Sequence, residues 1–91
     1  MTNVYAVFDK LAQQVIGGLH LLANDAAAVR FFSDILQEPN SRLAGHPEDY
    51  ELISLGELKY FGDRVSLQAA SSIIVSATAV LSTLNAQKEP K

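Results

Sequence analysis

The chain has 91 residues, no cysteine and a formal net charge of −3. Its length bounds it to one domain with a thin core, and the absence of thiols excludes disulfides and thiolate metal sites and fits a reducing compartment. Net acidity counts against a nucleic-acid binder that works through a uniformly basic surface. The charges are nonetheless unevenly spread: Glu48, Asp49, Glu51 and Glu57 crowd the middle, while Arg30, Arg42, Lys59 and Arg64 are scattered around them and free to converge in space.

Asn3 to Phe8 is short, β-branched and aromatic, with apolar residues on both faces. That pattern predicts a central strand covered on both sides. Asp9-Lys10 is a turn, and Gln13 to Leu22 reads as a second strand in a hairpin with the first, broken by a bulge or bend at Gly17-Gly18. Asn24-Asp25 then supplies an N-cap and a first-turn acid, which start a helix running to about Gln37. Ala28, Phe31, Phe32 and Ile35 share its apolar face, Val29 and Leu36 widen it, and Arg30, Ser33 and Asp34 face water. Both phenylalanines are expected in the core. Glu38-Pro39-Asn40 stops the helix, because the residue before a proline avoids the α region.

Asn40 to Asp49 reads as a polar loop, Tyr50 to Leu55 as a third strand, and Glu57 to Phe61 as its continuation or a new strand after a bend at Gly56, ending at a Gly62-Asp63 turn. Val65 to Leu84 carries no charge. Its length would suffice to span a bilayer, but Ser66, Ser71, Ser72, Ser76, Thr78, Ser82 and Thr83 oppose that, and no membrane contact is expected. A helix fits better. Leu67, Ala70, Ile74, Ala77, Leu81 and Leu84 recur at heptad spacing, large alternating with small, and form a candidate oligomer interface. A buried strand through Ser72 to Val80 competes with it, since Ile73, Ile74 and Val75 are β-branched. Asn85 to Lys91 reads as a flexible polar tail behind a single domain, residues 1–84. No signal peptide is predicted at the start, which lacks a basic region followed by an apolar run.

His46, Glu48 and Asp49 are potential metal ligands, yet a site normally needs more donors in fixed geometry, and the other imidazole, His20, sits in an apolar strand. The structural reading is preferred: Pro47 fixes the loop while Glu48 or Asp49 bonds nearby backbone amides. No metal or cofactor is expected. Nor does the sequence hold a nucleophile elbow or a glycine-rich phosphate loop, so no catalytic residues are assigned and no enzyme is expected. Lys59-Tyr60-Phe61, with Arg64 beyond the turn, is the best nucleic-acid candidate: aromatic faces stack on unpaired bases while cations hold the backbone. The sheet has two faces and the first helix covers one, so the other needs cover from the last segment or from a partner. A homodimer or higher homo-oligomer is favoured.

Val4 to Lys10 (VYAVFDK), Asn24 to Leu36 (NDAAAVRFFSDIL), His46 to Leu52 (HPEDYEL) and Leu55 to Leu58 (LGEL) resemble, in order, the landmarks of the small nonstructural protein of gokushoviruses, microviruses with single-stranded DNA genomes. That family's pattern has a proline-containing stretch where this chain has Gly17-Gly18, and the segment after Val65 lies outside the resemblance. The resemblance implies a protein outside the capsid that acts in genome replication, by binding DNA or aiding the switch from duplex to single-stranded synthesis. It supplies no catalytic residue.

The expected fold is α+β: an antiparallel sheet of three to five strands, one amphipathic helix on it, and a C-terminal helix or strand used in oligomerisation. The expected function is non-enzymatic binding of single-stranded DNA in the host cytoplasm, with Lys59, Arg64, Arg30 and Arg42 on phosphates and Tyr60 or Phe61 on bases. The alternative is a module that binds a phage or host protein through an apolar patch or the acidic Glu48–Glu57 region.

Overall fold

β1 (Thr2–Asp9) and β2 (Gln14–Leu22) form a hairpin whose turn is set by Asp9. The Asp9 carboxylate accepts from the amides of Leu11 and Ala12 at 3.0 and 3.1 Å, so a short polar side chain satisfies the turn's own backbone. The pairing slips between Tyr5 and Val7, opposite Gly17 and Gly18. Those two glycines have φ of 73° and 83°, which is why the bulge falls at the one place without Cβ atoms. The computed structural model describes residues 2–88.

α1 (Asp25–Leu36) begins where the cap predicts, with the Asn24 side chain accepting from the Ala27 amide at 2.8 Å. Ala28, Phe32 and Leu36 are buried along one stripe. Phe31 is only half-buried and stands against His20, ring centroids 4.5 Å apart, at the rim of the core. Ser33 is half-buried as well, where water was expected. The stretch expected to be an irregular loop contains a one-turn helix, α2 (Arg42–Gly45), capped by Ser41 and anchored by buried Leu43, and a 3-10 turn at Pro47–Asp49.

β3 (Tyr50–Phe61) and β4 (Arg64–Ser76) make a long second hairpin, and α3 (Ala77–Lys88) follows directly. The helix expected over Val65 to Leu84 is therefore a strand for its first half, so Leu67, Ala70 and Ile74 lie on β4 and share no helical stripe with Ala77, Leu81 and Leu84. Tertiary pairing decides this: Leu67, Ser72, Ile73 and Val75 each meet a cross-strand partner on β3, and helix spacing alone offers no such partners. The helix starts only at Ser76, whose hydroxyl accepts from the Ala79 amide at 3.1 Å. It continues into the segment expected to be a tail; residues 89–91 of that segment lie outside the described residues.

The four strands form one antiparallel sheet, ordered β2-β1-β3-β4, and the expected α+β architecture holds. Tyr5 and Val7 of β1 and Leu52 of β3 point to the same side and pack with Ala28, Phe32 and Leu36 of α1 and with Ala77 and Val80 of α3. Both helices thus lie on one face of the sheet; Val4 and Ala6 point to the other face and are buried as well, so central β1 is shielded on both sides although only one side carries helices. The chain is elongated, 52 × 31 × 21 Å, because the β3–β4 hairpin reaches past the end of β1, whose pairing with β3 ends at Thr2 and Leu58.

Candidate nucleic-acid interface on the β3–β4 hairpin

Side chains alternate across a strand, and directly paired residues share a face. Register therefore sorts the hairpin. Phe61 pairs with Arg64 and Lys59 with Ser66, while Tyr60 pairs with Val65 and Leu58 with Leu67. Lys59, Phe61 and Arg64 stand together on the helix-bearing side. Tyr60 points the other way, among apolar residues, so the expected cluster of Lys59, Tyr60, Phe61 and Arg64 is divided by the strand's own period. At the hairpin tip Phe61 is 61% exposed and Tyr60 56%, so neither plugs the core. Gly62 makes the tip turn, with φ of 65°.

Gly56 keeps this sorting in step with the body of the sheet. The β1–β3 register shifts between Val4 and Tyr5, and the β3–β4 register shifts beside the same glycine. Its φ is 142°, and a Cβ there would lie 2.2 Å from the Gln68 carbonyl oxygen. Only glycine fits so close a backbone approach. Next to it, on the helix-bearing side, Asn3, Ser54, Glu57, Gln68 and Ser72 line an open trough of about 550 Å³; Lys59 and Arg64 lie farther along the same face and outside its lining. The trough offers amide and hydroxyl groups and one carboxylate, Glu57.

The other two expected phosphate contacts lie elsewhere. Arg30 edges an apolar groove of about 380 Å³ between α1 and α3, together with Val75. Val75 and Arg64 sit near opposite ends of β4, roughly 35 Å apart at strand rise. Arg42 is on α2, beside the 3-10 turn that precedes β3 and so at the end of that strand away from the tip. Arg30 and Arg42 are not brought to the hairpin. The candidate oligomer residues are divided too: Ala77 is buried inside this chain's core, and Ile74, Leu81 and Leu84 pack against it, while Leu67 remains 51% exposed.

The donor atoms of His46, Glu48 and Asp49 lie within 4.8 Å of one another. Backbone bonds hold that loop rather than the expected carboxylates: Asp49 donates to the His46 carbonyl at 3.0 Å, and the Asp49 carbonyl accepts from Lys10 at 2.7 Å. These bonds hold the backbone on which the three side chains converge.

One polar constellation escaped the sequence reading. The Tyr5 hydroxyl donates to Asp25 Oδ1 at 2.6 Å and accepts from the Asn3 side chain at 3.1 Å. Tyr5 is fully buried. Burial raises its pKa above the ordinary tyrosine value, and the bond to the Asp25 carboxylate raises it further. The chain ties β1 to the first turn of α1, a structural role; alternation of Tyr5 with Val4 and Ala6 was the only signal that could have placed it inward.

Fold and site together define a small α+β protein with helices on one side of an antiparallel sheet and a projecting hairpin tipped by two cations and an aromatic ring. The chain matches the model of the Phage ORF5 protein family over residues 2–80, and it belongs to that family. The match includes much of the segment after Val65, which the resemblance left out. No curated protein and no solved structure matches the chain. No helix among the described residues is long and apolar enough to cross a membrane.

Proposed function

We propose that this phage protein binds single-stranded DNA without catalysis, during genome replication of a microvirus of the gokushovirus group and in the host cytoplasm. The switch from duplex to single-stranded synthesis is the step that needs such a protein. The observation that carries the reading is the hairpin tip. Phe61 is exposed there, with Lys59 and Arg64 on the same face, which is the combination that stacks on an unpaired base and holds its backbone. The hydrogen-bonding trough behind the tip extends that contact surface. Phe61 takes the stacking role and Tyr60 does not. Two cations make a weak site, and a homodimer that presents two tips raises avidity.

The reading is tested by fluorescence anisotropy of labelled single-stranded and duplex oligonucleotides across a salt series. Preferential single-strand binding that weakens with salt supports it. Unchanged binding by a folded Lys59→Ala/Arg64→Ala variant removes the tip from the account. The alternative, a module for a phage or host protein, draws on the net charge of −3 and on the apolar side of the sheet; absence of DNA binding at low salt favours it.

A further inference from the structure

Most of the exposed large apolar residues share one face; Leu11, in the β1–β2 turn, and Phe61, on the helix-bearing side, do not. Register places Val15, Leu21, Val65, Leu67 and Ile73 on the side of the sheet opposite both helices, paired respectively with Phe8, Val4, Tyr60, Leu58 and Ile53. Leu19, one residue from inward-facing His20, joins them at 60% exposed. Contiguous patches of this kind mark interaction sites.

We infer that this open sheet face is covered by a second copy of the chain, sheet against sheet. Area is the first argument. A compact monomer of 9.8 kDa exposes about 5,200 Å², whereas this chain exposes 6038 Å². The elongated hairpin accounts for part of this excess of about 800 Å², which is of the size that one partner contributes to a standard stable interface. Charge is the second. Glu51 is the one charged residue that the register sets on this face among the described strands. Phosphates would meet no cation there, and a different protein would find few polar groups to fix its register. A face without charge pattern is compatible with itself, as a two-fold interface requires, and two sheets packing at about 10 Å would bury it as a sandwich core. The same arrangement leaves Lys59, Phe61 and Arg64 of each copy outward, on the far side of each sheet. The interface so assigned differs from the heptad set, of which only Leu67 takes part.

The test is sedimentation equilibrium of the full chain without DNA, beside a Leu21→Glu/Ile73→Glu variant. The wild type is expected at twice 9.8 kDa, and the variant at the monomer mass with unchanged circular dichroism. If that variant does not fold, Leu19→Lys/Leu67→Lys serves in its place. A monomeric wild type overturns the inference and gives the face to another partner. So does a dimer that survives both variants, or one that Thr83→Glu, in the groove between α1 and α3, abolishes instead. A monomer that binds single-stranded DNA sinks only this inference; a dimer that ignores DNA sinks only the functional reading.

Discussion

The two sides of the β3–β4 hairpin are built from alternate residues of the same two strands, yet they differ in nearly every chemical respect. One side carries Lys59, Phe61, Arg64, Ser66 and Gln68; the other carries Leu58, Tyr60, Val65 and Leu67. A single-residue slip of register would exchange them. The difference shows that the local run Lys-Tyr-Phe is not one site. Its middle residue belongs to a largely apolar surface to which all four strands contribute, and its outer two belong to a polar surface that ends at the tip.

The comparison breaks most severely at Gly56, which holds both sides in register. Gly56→Ala puts a Cβ against the Gln68 backbone and forces φ of 142° on a residue that resists it. A loss of about 3 kcal/mol is expected from overpacking and strain together, read by urea denaturation. A loss below 1 kcal/mol, as expected for a surface change, would show that the bulge tolerates a side chain.

Next comes the division of the aromatics. Phe61→Ala is expected to weaken single-strand binding by about 1–3 kcal/mol, the range for a stacked base. Tyr60→Ala is expected to leave affinity in the monomeric background nearly unchanged. Equal losses from both would mean that DNA does not distinguish the sides. The double variant Lys59→Ala/Arg64→Ala sharpens the same point through salt: two lost phosphate contacts should lower the slope of log affinity on log salt by about 1.4 for a single strand.

Behind the polar side, Tyr5→Phe removes both hydrogen bonds of the hydroxyl, to Asp25 and from Asn3, and is expected to cost about 2 kcal/mol. Because the folded-state pKa of Tyr5 is raised, unfolding releases its proton above the ordinary tyrosine pKa. Its contribution is therefore full below about pH 10 and is lost as pH rises toward the folded value. The variant should lose that part of the alkaline destabilisation in denaturation curves taken across this range. An unaltered pH profile would place the source elsewhere. Smallest is Asn24→Ala, about 1 kcal/mol from the lost cap, which should lower the melting temperature without touching either side of the hairpin or its DNA affinity.

Much of the fold was legible because local chemistry and final structure agree. Asp9, the Gly17-Gly18 pair, the Asn24 cap, Pro39 and Gly62 each act where their backbone preferences put them. Val65 to Ser76 was less legible. Its leucines and alanines satisfy a helical spacing and its β-branched residues a strand, and the pairing with β3 that settles the matter joins residues far apart in sequence. For the candidate site, the identities of Lys59, Phe61 and Arg64 were readable, but their grouping depends on the bulges near Leu52 and Gly56, which set phase. Arg30 and Arg42 were drawn in by charge alone, and the sequence holds nothing that measures the length of β3 separating them from the tip. The open face was foreseen as a need for cover; that α3 lies beside α1, and so leaves it bare, is a matter of tertiary packing.

The most direct measurement is an amide NMR titration of the isotopically labelled protein with a single-stranded oligonucleotide at low salt. The account predicts shifts at Lys59, Phe61 and Arg64 and along the trough at Gln68, with Val15, Leu21 and Ile73 unmoved. Shifts centred on the apolar side, or none anywhere, would contradict it.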